Sequence, residues 1–166
     1  MDESKFWSLV EASFAERTAA LSNQPAILQE KLSCLSAEEI LAFDRIFEKL
    51  HSDAYRWDLW AAAYIIEGGC SEDGFDWFRA GLIGLGRVVY EAALADPNTL
   101  ARQPTRGIDF SNEEMSYAAK QAYEAVTGEE MPEHGLARRM EPLGDKWDKA
   151  TLGATYPELA AKFGFG

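Results

Sequence analysis

The segment that opens at Ser36 leaves the chain one choice of local structure. Ser36-Ala37-Glu38-Glu39 is a capping box, with serine at the N-cap and glutamate at N3. Ile40, Phe43, Phe47, Leu50 and Ala54 then follow at alternating steps of three and four. That spacing draws an apolar stripe down one face of an α-helix, and the stripe must be buried against a neighbour. Asp44, Arg45, Glu48 and Lys49 lie off the stripe and read as solvated-face charges.

The same period recurs along the chain. Residues 3–21 read as a helix on Phe6, Val10 and Phe14, with Trp7 alongside, Leu21 extending the stripe and Asp2 or Ser4 as cap. Pro25 suits the first turn of a short helix at about 25–34. Asp58 can cap a helix from Leu59 to Glu67, which Gly68-Gly69 ends. Ser71 or Asp73 starts the next, which runs to about Ala95, where Asp96-Pro97 stops it. Residues 112–127 give another helix, closed by Gly128, and a last short one covers part of 145–163. No strand-like alternation or internal repeat appears. The expectation is one all-α domain over 1–166, a crossed array of about six or seven helices of unequal length. Residues 1–100 would form its core and 101–166 an appendage of helices and loops. The stretch 128–144, punctuated by Pro132, Gly135, Pro142 and Gly144, is longer than structureless loops usually run, which marks it as functional or mobile.

Charge narrows the function classes. The chain carries 16 Lys and Arg against 28 Asp and Glu, a net charge of -12. Nucleic-acid affinity rests on a basic footprint that is missing here, and anionic membrane surfaces are disfavoured for the same reason. A basic protein partner is compatible with the charge, as is simple solubility. No apolar run approaches the length of a membrane span. The opening Met-Asp-Glu-Ser-Lys has neither the basic nor the apolar region of a signal peptide. The two cysteines, Cys34 and Cys70, read as reduced thiols, so the expected compartment is the cytoplasm.

Chemistry concentrates between Tyr55 and Arg79. This stretch holds three of the five tryptophans, Trp57, Trp60 and Trp77, among acids and arginines. Charges this dense among aromatics are either paired against a core or line a cleft. The following helix carries Gly81, Gly84 and Gly86, each costing ~0.8–1 kcal/mol in a helix interior. Close helix crossing, a kink or a ligand against the backbone would compensate. In the functional reading, Arg79 and Arg87 capture an anionic group while Asp58 or Asp76 positions it or acts as base, with Asp73 nearby. In the structural reading the same charges form an ion-pair network across the Gly-Gly turn. Cys70 lies near a helix start, a place that can lower a thiol pKa, yet no histidine stands within the motif. Two histidines and two isolated cysteines do not make a metal site by spacing, and no cofactor-binding motif is present.

Several of these segments carry a family resemblance. Phe6-Trp7, the run Arg56-Trp57-Asp58-Leu59-Trp60-Ala61-Ala62-Ala63-Tyr64, the run Gly68-Gly69-Cys70-Ser71-Glu72-Asp73-Gly74-Phe75-Asp76-Trp77-Phe78-Arg79, and Tyr90-Glu91-Ala92-Ala93-Leu94-Ala95-Asp96-Pro97 are similar to a bacterial family of small proteins defined only as a domain of unknown function. That family is best populated in actinobacteria and related soil organisms. The resemblance covers about residues 2–130. It implies a cytoplasmic, mostly helical bacterial protein and brings no activity, cofactor or catalytic residue. Fusion of relatives to regulatory or interaction modules leans toward binding.

The leading expectation is therefore a non-enzymatic binding or interaction protein without metal or cofactor. A polar-aromatic cleft at Trp57, Asp58, Trp60, Asp73, Asp76, Trp77, Arg79 and Arg87 would recognise an unknown protein or a small anionic ligand. Exposed aromatics also make a homodimer reasonable. The alternatives are a hydrolase-like enzyme with an Asp/Arg centre and a purely structural helical domain.

Overall fold

The computed structural model of the chain describes residues 1–18 and 23–166. Leu21, assigned to the first helix stripe, lies outside them. Helix α1 (Glu3–Glu16) starts as its sequence dictates, with the Asp2 side chain accepting from the Lys5 amide at 2.8 Å. It stops at Arg17, whose guanidinium covers the Phe14 ring and donates to the Phe14 carbonyl at 2.7 Å. α2 (Gln24–Leu32) follows with Pro25 in its first turn, and α3 (Ala37–Asp53) begins at the capping box. α4 (Trp57–Glu67) ends on Gly68 in the left-handed conformation (φ 70°). α5 (Glu72–Gly84) is capped by Ser71, and α6 (Arg87–Ala95) runs to Asp96. Then come α7 (Ala118–Thr127), α8 (Leu152–Thr155) and α9 (Pro157–Phe163), with 3₁₀ turns at Pro97–Arg102, Glu113–Ser116 and Lys149–Thr151.

The described residues thus make nine α-helices and three 3₁₀ turns, with one isolated parallel bridge between Arg56 and Leu143. The all-α class stands, whereas the count of six or seven helices does not. The physical reason lies in two places. The run read as one helix to Ala95 breaks at Gly86, whose φ of 95° is open to glycine and closed to most other residues. The C-terminal stretch read as one short helix divides at Pro157.

The three helix glycines have different jobs. At Gly81 the chain around Phe110 crosses so closely that a Cβ would stand 2.3 Å from the Phe110 carbonyl oxygen. The Asn112 amide donates to the Trp77 carbonyl at 3.1 Å beside this crossing. Gly84 leaves its carbonyl without a helical partner, because α5 ends there. The buried Gln24 amide takes it at 2.7 Å, entering from α2. Gly86 makes the break, and Glu11 of α1 accepts from the exposed Arg87 amide at 3.1 Å. Close packing and a break together offset the helix cost of these residues.

The α3 stripe is buried at every position from Ile40 to Ala54, against α1, α5 and α7. α7 also packs on α2, and Met115, Ala118, Ala119 and Ala122 join the same apolar cluster as Phe6 and Phe43. An aromatic row runs Trp57, Trp60, Phe75, Phe78, Phe110, with neighbouring ring centroids 5.1, 5.0, 6.2 and 6.3 Å apart. The Tyr55–Arg79 tryptophans Trp57 and Trp60 thus build the wall behind α5. No helix of the described residues is long and apolar enough to cross a membrane.

From Gly128 to Asp148 the chain carries no helix and lies as a strap along α3 and the start of α4. Leu143 holds it there, donating to the Tyr55 carbonyl and accepting from the Trp57 amide, both at 2.9 Å. His134 meets Asp44 at 3.2 Å and Arg138 meets Glu48 at 3.1 Å. This overturns the reading of Asp44 as a solvated charge: it is 3% exposed, because the strap covers that flank of α3.

The crossing at Gly81 gives a sharp test. Gly81→Ala should lose about 2–3 kcal/mol, roughly 5–10 °C of melting temperature, since only backbone faces the new methyl group. Gly84→Ala should lie within about 1 kcal/mol of wild type, because the atoms 3.3 Å from its Cβ are ends of the flexible Gln24 and Met115 side chains. Equal thermal shifts in the two variants would contradict the crossing geometry.

Candidate functional site

Between α3, α5, the 3₁₀ turn leading into α7, and the strap lies a cavity of about 460 Å³. α3 contributes Glu48, His51 and Ser52, followed by Tyr55, and α5 contributes Glu72, Asp73, Asp76 and Arg79. Ser116, Tyr117 and Lys120 face these, and Arg138, Arg139 and Met140 of the strap close the side.

Arg79 forms the floor. It is 8% exposed, so its charge demands partners. Its Nη2 donates to Asp76 Oδ1 at 2.7 Å and its Nη1 to the His51 carbonyl at 2.9 Å. The guanidinium carbon stands 4.5 Å from the Tyr55 ring centroid and 5.2 Å from that of Phe75. Burial pulls the Arg79 pKa down, opposed by Asp76. Its buried Nε–H has no acceptor among the described residues. Arg79 therefore ties α5 to the end of α3, a helix pair different from the one flanking the Gly-Gly turn.

His51 shares this node. Its Nε2 lies 3.0 Å from the Asp76 carbonyl, which can only accept, so Nε2 carries the proton. Nδ1 is left as an acceptor toward Arg79 Nη1 at 3.4 Å. Burial, then the Arg79 charge, holds the imidazole below its ordinary value of 6.5. Tyr55 donates to Glu72 at 3.2 Å, and burial followed by the Glu72 charge pushes its hydroxyl pKa up. Asp44 lies in an adjoining cavity of about 400 Å³ under the strap, and burial, with Glu48 adding, raises its carboxyl pKa.

Of the eight residues singled out in sequence, Asp73, Asp76 and Arg79 line the cavity. Trp57, Asp58, Trp60, Trp77 and Arg87 do not. Trp60 donates its indole N–H to the Cys70 carbonyl at 3.0 Å, and Lys146 of the strap stands over Trp57. Asp58 forks onto Arg56 at 3.0 and 2.9 Å, which places it in a different pair from Arg79. Trp77 is 40% exposed. Arg87 departs with α6 beyond the break and bonds Glu91 at 2.7 Å on an exposed helix face. Burial, with Glu67 adding, pushes the Cys70 thiol up to about 11, the opposite of the lowering that a helix start can bring.

His51, Tyr117, Lys120, Arg138 and Arg139 were missed. A signal for His51 was available, since it stands four residues after Phe47 and continues that stripe, and the two rings stack at 6.1 Å. Nothing local marks the strap arginines. Among the described residues no group of three or more His, Cys, Asp or Glu side chains could hold a metal ion.

The chain is thus an all-α protein with buried aromatic clusters and a charged cavity beside them. It belongs to the family described as protein of unknown function DUF4240, whose profile matches residues 1–125. Lys120 and the α3 and α5 walls fall inside that segment, and the strap lies beyond it. No curated protein and no solved structure matches the chain.

The depressed His51 gives stability a pH dependence. Below the ordinary histidine value of 6.5 an unfolded imidazole takes a proton that the folded one refuses, so acidification favours unfolding. Its contribution is present above that value and is lost as pH falls through the depressed one. Asp44 acts in the opposite sense, because its raised carboxyl gains stability on protonation. Thermal melts between about pH 5.5 and about pH 7.5 should show wild type losing more stability on acidification than His51→Gln. Identical slopes would mean that His51 protonates freely in the fold.

Proposed function

We propose that the protein is a ligand-binding domain whose cleft between α3, α5, Lys120 and the strap takes a small molecule through an anionic group. One observation carries the reading. In a chain of net charge -12, four cations, Arg79, Lys120, Arg138 and Arg139, gather around one cavity. Arg79 is held by Asp76 and Arg138 by Glu48. Lys120 and Arg139 line the cavity without a hydrogen bond or close ion pair to the described residues, although the Lys120 charge also acts on the buried Asp44. Arginine suits bidentate carboxylate or phosphate capture, and lysine supplies a point charge beside it. A volume of about 460 Å³ is within the usual range for small-molecule sites.

The role first given to Arg79 shifts accordingly. Its donors hold the floor, and capture falls to Lys120 and Arg139. Isothermal titration with succinate and with the dipeptide alanyl-alanine tests this. At least one probe should bind wild type and lose ten-fold or more affinity in a Lys120→Glu/Arg139→Glu double variant that melts within about 2 °C of wild type. Unchanged affinity in the folded variant, or no binding of either probe to wild type, would reject the cleft as the site.

A further inference from the structure

The cavity is bipolar, and we infer that its ligand is a zwitterion: a molecule of about dipeptide size carrying a free amine and a carboxylate. The inference rests on the binding role proposed for this same cleft and names the class of ligand it takes.

The argument is a count of charges left over. Asp76 is neutralised by Arg79 and Glu48 by Arg138. What remains is Lys120 and Arg139 as cations, against Glu72 and Asp73 as anions. Glu72 accepts one hydrogen bond, from the Tyr55 hydroxyl, and Asp73 has no hydrogen bond or ion pair among the described residues.

Lys120 and the two acids sit at different ends. Lys120, with Asp44, Glu48, Glu133 and Arg138, also lines the neighbouring cavity of about 400 Å³, whereas Glu72, Asp73, Asp76 and Arg139 line the first and not that one. The Lys120 end therefore adjoins α7 and the start of the strap, the acidic end lies at the first turn of α5 beside Tyr55, and Arg139 joins the wall from the strap near the end of α3. Between them the floor offers no uncommitted charge. His51 is neutral above its depressed pKa, Arg79 is paired, and Tyr55 covers the guanidinium. That floor also holds the buried Arg79 Nε–H, which no group of the described residues accepts.

A small inorganic anion would engage Lys120 and Arg139 and leave the acidic end unanswered. A dianion long enough to fill the cavity would set its second charge against Glu72 and Asp73. A diamine would meet the reverse conflict at Lys120. A molecule with its carboxylate on Lys120 and Arg139 and its ammonium on Glu72 and Asp73 satisfies both ends, which is the charge complementarity that sets specificity.

Blocking each end of one probe separates these cases. Alanyl-alanine, its N-acetylated form, its C-terminal amide, succinate and putrescine are each titrated into wild type, Asp73→Asn and Lys120→Gln. Melts confirm that both variants are folded. The free dipeptide should bind wild type at least ten-fold more tightly than either blocked form. In Asp73→Asn the advantage over the N-acetylated form should shrink several-fold, and in Lys120→Gln the advantage over the amide should shrink likewise. If N-acetyl dipeptide and succinate bind as tightly as the free dipeptide, and Asp73→Asn changes nothing, the zwitterion assignment is wrong while the anion-binding cleft stands. If putrescine binds best, or if no probe binds, the assignment and the anion-binding role fall together.

Discussion

One buried guanidinium organises this molecule. Arg79 cannot shed its proton and cannot stand in an apolar interior without partners. Asp76 answers it from its own helix, but the second partner is the His51 carbonyl, at the C-terminal turn of α3. Last-turn carbonyls of a helix have no helical donor and carry the negative end of its dipole, which makes this one a good acceptor for a cation. The Tyr55 ring completes the enclosure. These contacts hold the register of α5 against α3, and with it the positions of Glu48, Glu72, Asp73 and Asp76 on the cavity wall. Arg79, first read as a captor of ligands, is thus also the tie between α5 and the end of α3.

The sequence carried the local half of this architecture. The capping box at Ser36, the Asp2 and Ser71 caps, the left-handed stop at Gly68 and the stripe from Ile40 to Ala54 depend on neighbours within a few residues, and each is visible in a short window. Gly86 shows where such reading ends. A glycine in a helical run is tolerated or breaks the helix according to what receives the freed amides. Here the receiver is Glu11, 76 residues earlier in the chain. With α5 and α6 parted, Arg79 and Arg87 belong to different surfaces, although their spacing on one ideal helix would join them.

The strap shows the same limit from the other side. Asp44 and Glu48 fall on the polar flank of α3, and polarity alone assigns that flank to solvent. Burial comes from His134 and Arg138, 90 residues downstream in each case, on a segment without periodicity of its own. Proline and glycine marked 128–144 as irregular but held no information about where it lies. Two of the cavity's four cations, Arg138 and Arg139, are carried by that segment. For the same reason the two histidines looked remote from the chemistry. His51 is 25 residues from Asp76 and touches its carbonyl.

A chain of net charge -12 that gathers cations in a cleft resolves an apparent conflict by distance. At physiological ionic strength the field of exposed acids decays over about 8 Å, so the exterior discriminates against extended polyanions without governing the cavity interior. Inside, charges within hydrogen-bonding reach decide, and the low-dielectric wall of Tyr55 and the aromatic row behind α5 strengthens them. The acidic exterior and the charge-balanced cleft then act on different scales. On charge alone the first disfavours nucleic acid and anionic surfaces. On the proposed reading the second selects by the placement of individual charges, which a small ligand can match and an extended polymer cannot. The aromatic segment that marked this chain in sequence enters that reading indirectly, as the apolar wall against which the Arg79 guanidinium is held.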